Sequence, residues 1–276
     1  MFYRTIKIVI AAFAAVALAF GLNACTKNKG NRVVVKGSTT VLPITQKAAE
    51  AFHKSAGISV FVEGSGSGNG IKALIDEGCD IANSSREMKP EEKAAAAGKG
   101  IQVKEILVAY DMIVPIVHPS NPVKNLTMDQ TKAIYDGSIK NWKELGGKDD
   151  KIVVISRDTS SGTYEIWHEK VMKKADVRGD ALLQASNGAI VTTVAGNPKT
   201  IGYVGYGYIN TTIKAITVNG VAVTIDNGKS GKFPISRRLY MYINEKKLSD
   251  QSKKFIDYLL SKEGQGLVKD AGYIPL

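Results

Sequence analysis

Three short stretches of glycine and hydroxylated side chains hold the residues best suited to chemistry: Gly37-Ser38-Thr39-Thr40, the run 64–70 reading Gly-Ser-Gly-Ser-Gly-Asn-Gly, and the run 157–163 reading Arg-Asp-Thr-Ser-Ser-Gly-Thr. Each follows a strand-like run and precedes a helix-like one. The first N–H groups of a helix lack partners within it, and the positive end of its macrodipole lies there, so an anion is favoured at that point. Glycine lets backbone approach the guest, and Ser and Thr hydroxyls add donors. A tetrahedral oxyanion needs many donors once water is excluded, and three such loops converging would supply about a dozen. Arg157 adds a guanidinium able to grip an oxyanion with two N–H groups, a geometry that Lys cannot copy. Taken singly, each loop is an ordinary capped helix start. Three in series, one of them carrying an arginine, point to an anion.

Other chemistries fail on spacing. Ile71 separates Gly70 from Lys72 and Ala73 follows the lysine, so the second loop is not a P-loop; Asn69 stands where a dinucleotide GxGxxG would need its last glycine. The three histidines, His53, His118 and His168, show no metal-ligand spacing. No residue context marks a nucleophile, so no catalytic residue, metal or cofactor is expected. The net charge of +11 favours an anionic partner, but the lysines are scattered without interleaved aromatics, which argues against nucleic acid.

The elements that must position these loops follow an α/β grammar. Strand-like runs at 33–36 and 58–62 alternate with helix-like runs at 43–55 and 71–77; a second block has a helix at 128–135, a strand at 151–156 and a helix at 163–174. Between the blocks, 105–117 is long enough to pass from one lobe to another, and 237–244 reads as the return crossing. Helices at 249–261 and ending near Lys269 would then pack on the first lobe. The glycine-rich segment 201–234 reads as strands and turns, with Asn219-Gly220 and Asn227-Gly228 as hairpin signals and its lobe left open.

The N-terminus has the layout of an export signal: Arg4 and Lys7, an apolar run from Ile8 to Phe20, then Leu22-Asn23-Ala24-Cys25. That run is too short for a permanent span. The last four residues resemble a bacterial lipobox, with Asn23 a departure from its usual pattern, which implies lipid attachment at Cys25 after removal of 1–24, and a polar tether over 25–31. Cys79, the remaining cysteine, reads as a buried small hydrophobe.

Taken together, Gly37-Ser38-Thr39-Thr40, the 64–70 loop, the run 80–87 (Asp-Ile-Ala-Asn-Ser-Ser-Arg-Glu), the 157–163 loop and 201–206 (Ile-Gly-Tyr-Val-Gly-Tyr) resemble the phosphate-binding subunit of bacterial high-affinity phosphate ABC importers, over essentially the whole mature chain. The resemblance implies a two-lobed α/β type II periplasmic-binding-protein fold, each lobe a mixed sheet flanked by helices, with two crossing hinge strands. The lobes are expected at 32–113 with 236–276, and at 114–235. It implies a monomer, exported to the periplasm or cell surface and held to a membrane by its lipid, that hands phosphate to a permease and ATPase complex. The ligand set carried over is Ser38, Thr39, Thr40, Ser67, Arg157, Ser161, Gly162 and Thr163.

Some members of the family place an aspartate where this chain reads Ser84-Ser85-Arg86-Glu87. Ser85 and Arg86 are therefore candidate ligands, and the phosphate proton must be accepted elsewhere, with Asp158 the first choice and Glu87 the second. Asp158 could equally hold Arg157 or cap a helix. The alternatives are another oxyanion on the same fold (sulfate, molybdate or tungstate), an exported phosphoester hydrolase, or an adhesin or sensor on this scaffold.

Overall fold

The computed structural model describes residues 32–276; the expected leader 1–24, Cys25 and the tether 25–31 lie outside the described residues. In chain order the strands are β1 (Arg32–Gly37), β2 (Ser59–Gly64), β3 (Ile81–Ser84), β4 (Val103–Val117), β5 (Asn125–Leu126), β6 (Val153–Arg157), β7 (Leu182–Gln184), β8 (Thr200–Gly205), β9 (Lys214–Ala215), β10 (Thr217–Val218) and β11 (Ser236–Asn244). The helices are α1 (Leu42–Ala56), α2 (Ser67–Ile75), α3 (Pro90–Gly98), α4 (Met128–Asp136), α5 (Gly162–Lys170), α6 (Asn187–Ala195), α7 (Ile225–Lys229), α8 (Asp250–Leu260) and α9 (Lys262–Asp270).

The main sheet runs β2-β1-β3-β11-β4-β8-β6-β7, with β9 also paired to β4. β1 lies parallel to β3, and β6 lies parallel to β7 and β8; β11 is antiparallel to β3 and β4, and β4 antiparallel to β8. β4 is therefore shared between two groups of strands, and its length is what allows this. Its residues Val108 and Ala109 belong to one core, built on Val33, Val35, Ile44, Leu239, Met241 and Phe255. From Met112 onward it belongs to another, built on Trp142, Ile155, Trp167, Ile190 and Tyr203. β11 divides in the same way, with Ile235 just before it in the second core and Leu239 in the first. These are the two crossing strands of a two-lobed α/β fold.

Local sequence explains the helix ends. α8 starts where Ser249 accepts from the Ser252 N–H at 3.2 Å, and its apolar positions Phe255, Ile256 and Leu259 recur at helical spacing to face the first core. Each such side chain contributes about 1.5–3 kcal/mol on full burial. Phe255 sets its ring 5.5 Å from that of Phe52 on α1, so Phe255→Ala would cost about 3–5 kcal/mol.

One open point closes and one expectation changes. Segment 201–234 belongs with the second core, to which Ile201, Tyr203, Val204, Ile213, Ile216, Val218 and Phe233 all contribute. Asn219-Gly220 does form a tight turn, both residues having positive φ between the bridged Val218 and Val221. Asn227-Gly228 does not: Thr224 accepts from the Asn227 N–H at 3.3 Å and starts α7, and Gly228 lies against Ile274 and Met112 where a side chain would not fit. The cap and the tertiary packing override the dipeptide's turn preference. The C-terminus also crosses back, with Ile274 packed in the second core and its backbone bonded to Tyr110.

Candidate functional site

The three loops of the sequence converge. Ser38, Thr39 and Thr40 follow β1 and lead into α1; Ser67 opens α2; Gly162 and Thr163 open α5, whose N-cap is Ser161. All six of these hydroxylated residues and Ser85 are buried. Thr40 Oγ1 lies 3.0 Å from Thr163 Oγ1, and Ser67 Oγ lies 3.3 Å from Ser85 Oγ while accepting from the Ser85 N–H at 3.1 Å. The loops also meet through backbone: the Gly68 N–H donates to the Ser160 carbonyl at 3.0 Å. The starts of α2 and α5 thus come together, bringing orphan N–H groups and two positive dipole ends to one place.

Arg157 ends β6 with a side chain only 1% exposed. Its Nε and Nη2 donate to the backbone carbonyls of Gln184 and Ala185, each at 3.0 Å, which fixes the guanidinium plane. Its Nη1 is buried with no hydrogen-bond partner. Burial pulls the Arg157 proton affinity below its ordinary value, with Asp158 opposing, yet a guanidinium remains cationic in a protein. A buried, unpaired, cationic N–H is costly to leave unsatisfied.

Beneath β6, Trp167 stacks on Tyr203 with centroids 4.0 Å apart, and Tyr203 Oη lies 2.9 Å from Ser156 Oγ while accepting from the Arg157 N–H at 3.2 Å. These rings brace both Arg157 and α5.

Three of the sequence candidates are engaged elsewhere. Arg86 makes a bidentate pair with Glu92, both contacts at 2.7 Å, and its Nε lies 3.1 Å from Glu165 on α5. Asp158 is 36% exposed; it accepts from the Ser160 N–H at 2.9 Å and from the Ser160 hydroxyl, and stands 3.7 Å from Arg157 Nη2. Its role here is to shape the loop and to face the arginine. Glu87 accepts from Tyr240 Oη at 3.2 Å, in a groove of about 770 Å³ that also exposes Lys89, His168 and Lys170.

Four further residues join the cluster that sequence reading did not select. Asn187, at the start of α6, donates to Thr39 Oγ1 and Thr40 Oγ1, both at 3.1 Å, and accepts from the Gly205 N–H at 3.2 Å. Tyr208 donates to the Thr39 carbonyl at 2.5 Å, burial pushing its phenol up to about 12 so that it keeps its proton. Asp111 on β4 is fully buried and paired with Arg237 on β11 at 2.7 Å. Burial pushes the Asp111 carboxyl up, and Arg237 opposes it. The signal was there for this pair, since an aspartate inside the apolar run 105–117 requires a buried partner.

Residues 24–263 match the model of the PBP superfamily domain. The Phosphate-binding protein PstS of Borreliella burgdorferi is 33% identical over 90% of this chain and 92% of its own length. PstS of Staphylococcus epidermidis is 35% identical over 87% of this chain and 77% of its own. Among solved structures, a substrate-binding protein assigned to a phosphate ABC transporter of Clostridium perfringens, with bound phosphate, superposes with a TM-score of 0.85 at 38% identity, covering 89% of this chain and 100% of that one. An ABC-type phosphate transport receptor from Vibrio cholerae gives a TM-score of 0.72 at 32% identity, covering 88% of this chain and 100% of that one. With converging anion-ready loops on a two-lobed α/β scaffold, and relatives of this similarity along nearly its whole length, the chain belongs to the PstS family of phosphate-binding proteins within the PBP superfamily.

Proposed function

We propose that this protein captures inorganic phosphate between its lobes and delivers it to an ABC importer made of a permease and an ATPase. The observation that carries the reading is Arg157, held rigidly by two carbonyls with its buried Nη1 unpartnered, at the head of the loop that leads into the start of α5 and its hydroxyl cluster. A dehydrated oxyanion would satisfy that group and the orphan N–H groups together. The phosphate-binding relatives and the phosphate bound in the Clostridium perfringens structure support the same guest.

The direct ligands in this reading are Ser38, Thr39, Thr40, Ser67, Ser85, Arg157, Ser161, Gly162 and Thr163. Asp158 and Arg86 act at one remove, the first through Arg157 and Ser160, the second by bridging carboxylates of α3 and α5. The lobes divide at 32–113 with 236–276, and 114–235, with Met112, Ile113 and Ile274 at the edges of the first packed into the core of the second, and binding contacts from both sides favour the closed arrangement. The protein is a monomer, exported to the periplasm or cell surface and tethered through a lipid on Cys25. Among the described residues no helix is long and apolar enough to cross a membrane.

Titration calorimetry of the purified protein tests the proposal. Phosphate should bind at micromolar or better, about −8 kcal/mol or stronger, and sulfate should compete weakly. One observation favours the other-oxyanion reading: Asp158 and Glu87, the carboxylates expected to take a phosphate proton, are bonded to Ser160 and Tyr240. Equal affinity for sulfate, or tighter binding of molybdate or tungstate, would therefore replace phosphate as the guest.

A further inference from the structure

Arg237 has five N–H groups and can only donate. Its Nε donates to Asp111 Oδ2 at 2.8 Å, and Nη2 reaches the same oxygen at 2.7 Å and Thr40 Oγ1 at 3.2 Å. Its Nη1 donates to Thr163 Oγ1 at 3.0 Å and more weakly to the Ser85 carbonyl at 3.4 Å. Every donor has an acceptor, so Arg237 keeps none for a guest, and Asp111 cancels its charge. The pair sits directly opposite across the β4–β11 ladder, where Arg237 and Asp111 are register partners. Asp111 is itself anchored by the Tyr206 N–H at 2.9 Å.

The hydroxyls that Arg237 touches have their roles forced by this. Thr40 Oγ1 accepts from Arg237 Nη2 and from Asn187 Nδ2, which fills both of its lone pairs. Its proton must then go outward, and Thr163 Oγ1 at 3.0 Å is placed to receive it. Thr163 Oγ1 thus accepts from Arg237 and from Thr40, and its own proton is the one left unassigned.

We infer that Arg237, fixed by Asp111, is a positioning residue that locks Thr40 and Thr163 into one donor direction and leaves the Thr163 O–H aimed outward as a preset donor to the anion. The inference rests on the anion-site reading above. A donor whose orientation is already set requires no reorganisation when the anion arrives, which raises affinity without adding a contact. Because Thr40 precedes α1 and Thr163 opens α5, the same guanidinium also links the two sides of the cleft through side chains that are not themselves charged.

The test is a double-mutant cycle on the full-length protein with inorganic phosphate as the probe, read by titration calorimetry, with melts in the absence of phosphate alongside. Arg237→Lys keeps the charge beside Asp111 but cannot reach both hydroxyls, and should weaken binding about tenfold, as should Thr163→Val. The double variant should bind within about twofold of the weaker single one, because both changes remove the same oriented proton. Losses that multiply in the double variant, or wild-type affinity in Arg237→Lys, would overturn the inference. If Arg237→Lys does not fold, Asp111→Asn takes its place in the cycle, since it keeps the guanidinium but weakens its anchor; it should likewise be non-additive with Thr163→Val, and additivity there overturns the inference equally. A wild-type protein that does not bind phosphate would instead sink the reading of the site itself.

Discussion

Gly162 faces Ser67 so closely that a methyl group on its Cα would lie 2.5 Å from Ser67 Oγ and 2.9 Å from Ser85 Oγ. Two helix starts distant in sequence therefore share one small space, and only the absence of a side chain at 162 lets their hydroxyls gather there. Gly162→Ala should push Ser67 and Ser85 out of place. The expected result is phosphate binding at least tenfold weaker, with a stability loss of about 1–3 kcal/mol from overpacking. Calorimetry and denaturant melts check it, and unaltered affinity would separate Gly162 from the site.

Arg157 offers a second test, because its geometry and its charge can be separated. Arg157→Lys keeps a cation but abandons the carbonyls of Gln184 and Ala185, to which Nε and Nη2 now donate. Leaving buried carbonyls unpaired costs about 1–3 kcal/mol each, and the ammonium cannot offer the same planar grip. Phosphate affinity should fall about a hundredfold. A lysine variant that binds as tightly as the parent would mean that charge alone is what the guest requires.

Across the cleft mouth, Glu165 on α5 pairs with Arg86 at 3.1 Å and with Lys89 at 2.8 Å, both of which lie between β3 and α3. In the proposed closure between lobes these ion pairs would join only when the two sides are together and so add to the stability of the closed arrangement. Glu165→Gln should raise the phosphate dissociation rate about fivefold, in keeping with a partly buried pair worth about 1 kcal/mol. The association rate should change little. Stopped-flow fluorescence of Trp167, which lies on the same helix, would follow both; an unchanged dissociation rate would remove this pair from the closure.

How much of this was legible in the sequence depended on whether the signal was local. The loops at 37–40, 64–70 and 157–163 announced themselves because glycine, hydroxyl and helix start lie within a few residues, and the crossing strands because β4 and β11 are long apolar runs. Arg237, Asp111 and Asn187 were not found, since each acts only through a partner that folding brings near: the Arg237–Asp111 contact joins residues 126 apart, and Asn187 reaches Thr39 from 148 away. Asp158 was read from its neighbours as a proton acceptor, a brace for Arg157 or a helix cap, and only the folded loop shows its carboxylate turned to Ser160. Asn227-Gly228 misled for a related reason, its turn preference yielding to the Thr224 cap and to packing against Met112.

Cys79 provides a prediction about pH. Burial is the main reason its thiol is pushed from an ordinary 9.0 up to about 12, with the nearby Asp80 carboxylate adding to the effect. The thiolate is the reactive form, so at mildly alkaline pH the folded protein should alkylate far more slowly at Cys79 than the unfolded chain. Linkage gives the sign for stability. The unfolded thiol releases its proton near 9 and the folded one near 12, so the contribution is fully present below pH 9 and is lost progressively as pH rises toward 12. Peptide mapping after iodoacetamide treatment, with and without denaturant at a series of pH values, measures the reactivity at this one cysteine. Replacing it by alanine should flatten the alkaline limb of the stability curve. Equal labelling of folded and unfolded protein at pH 9 would show that the thiol is not shielded, and the pH argument would fail with it.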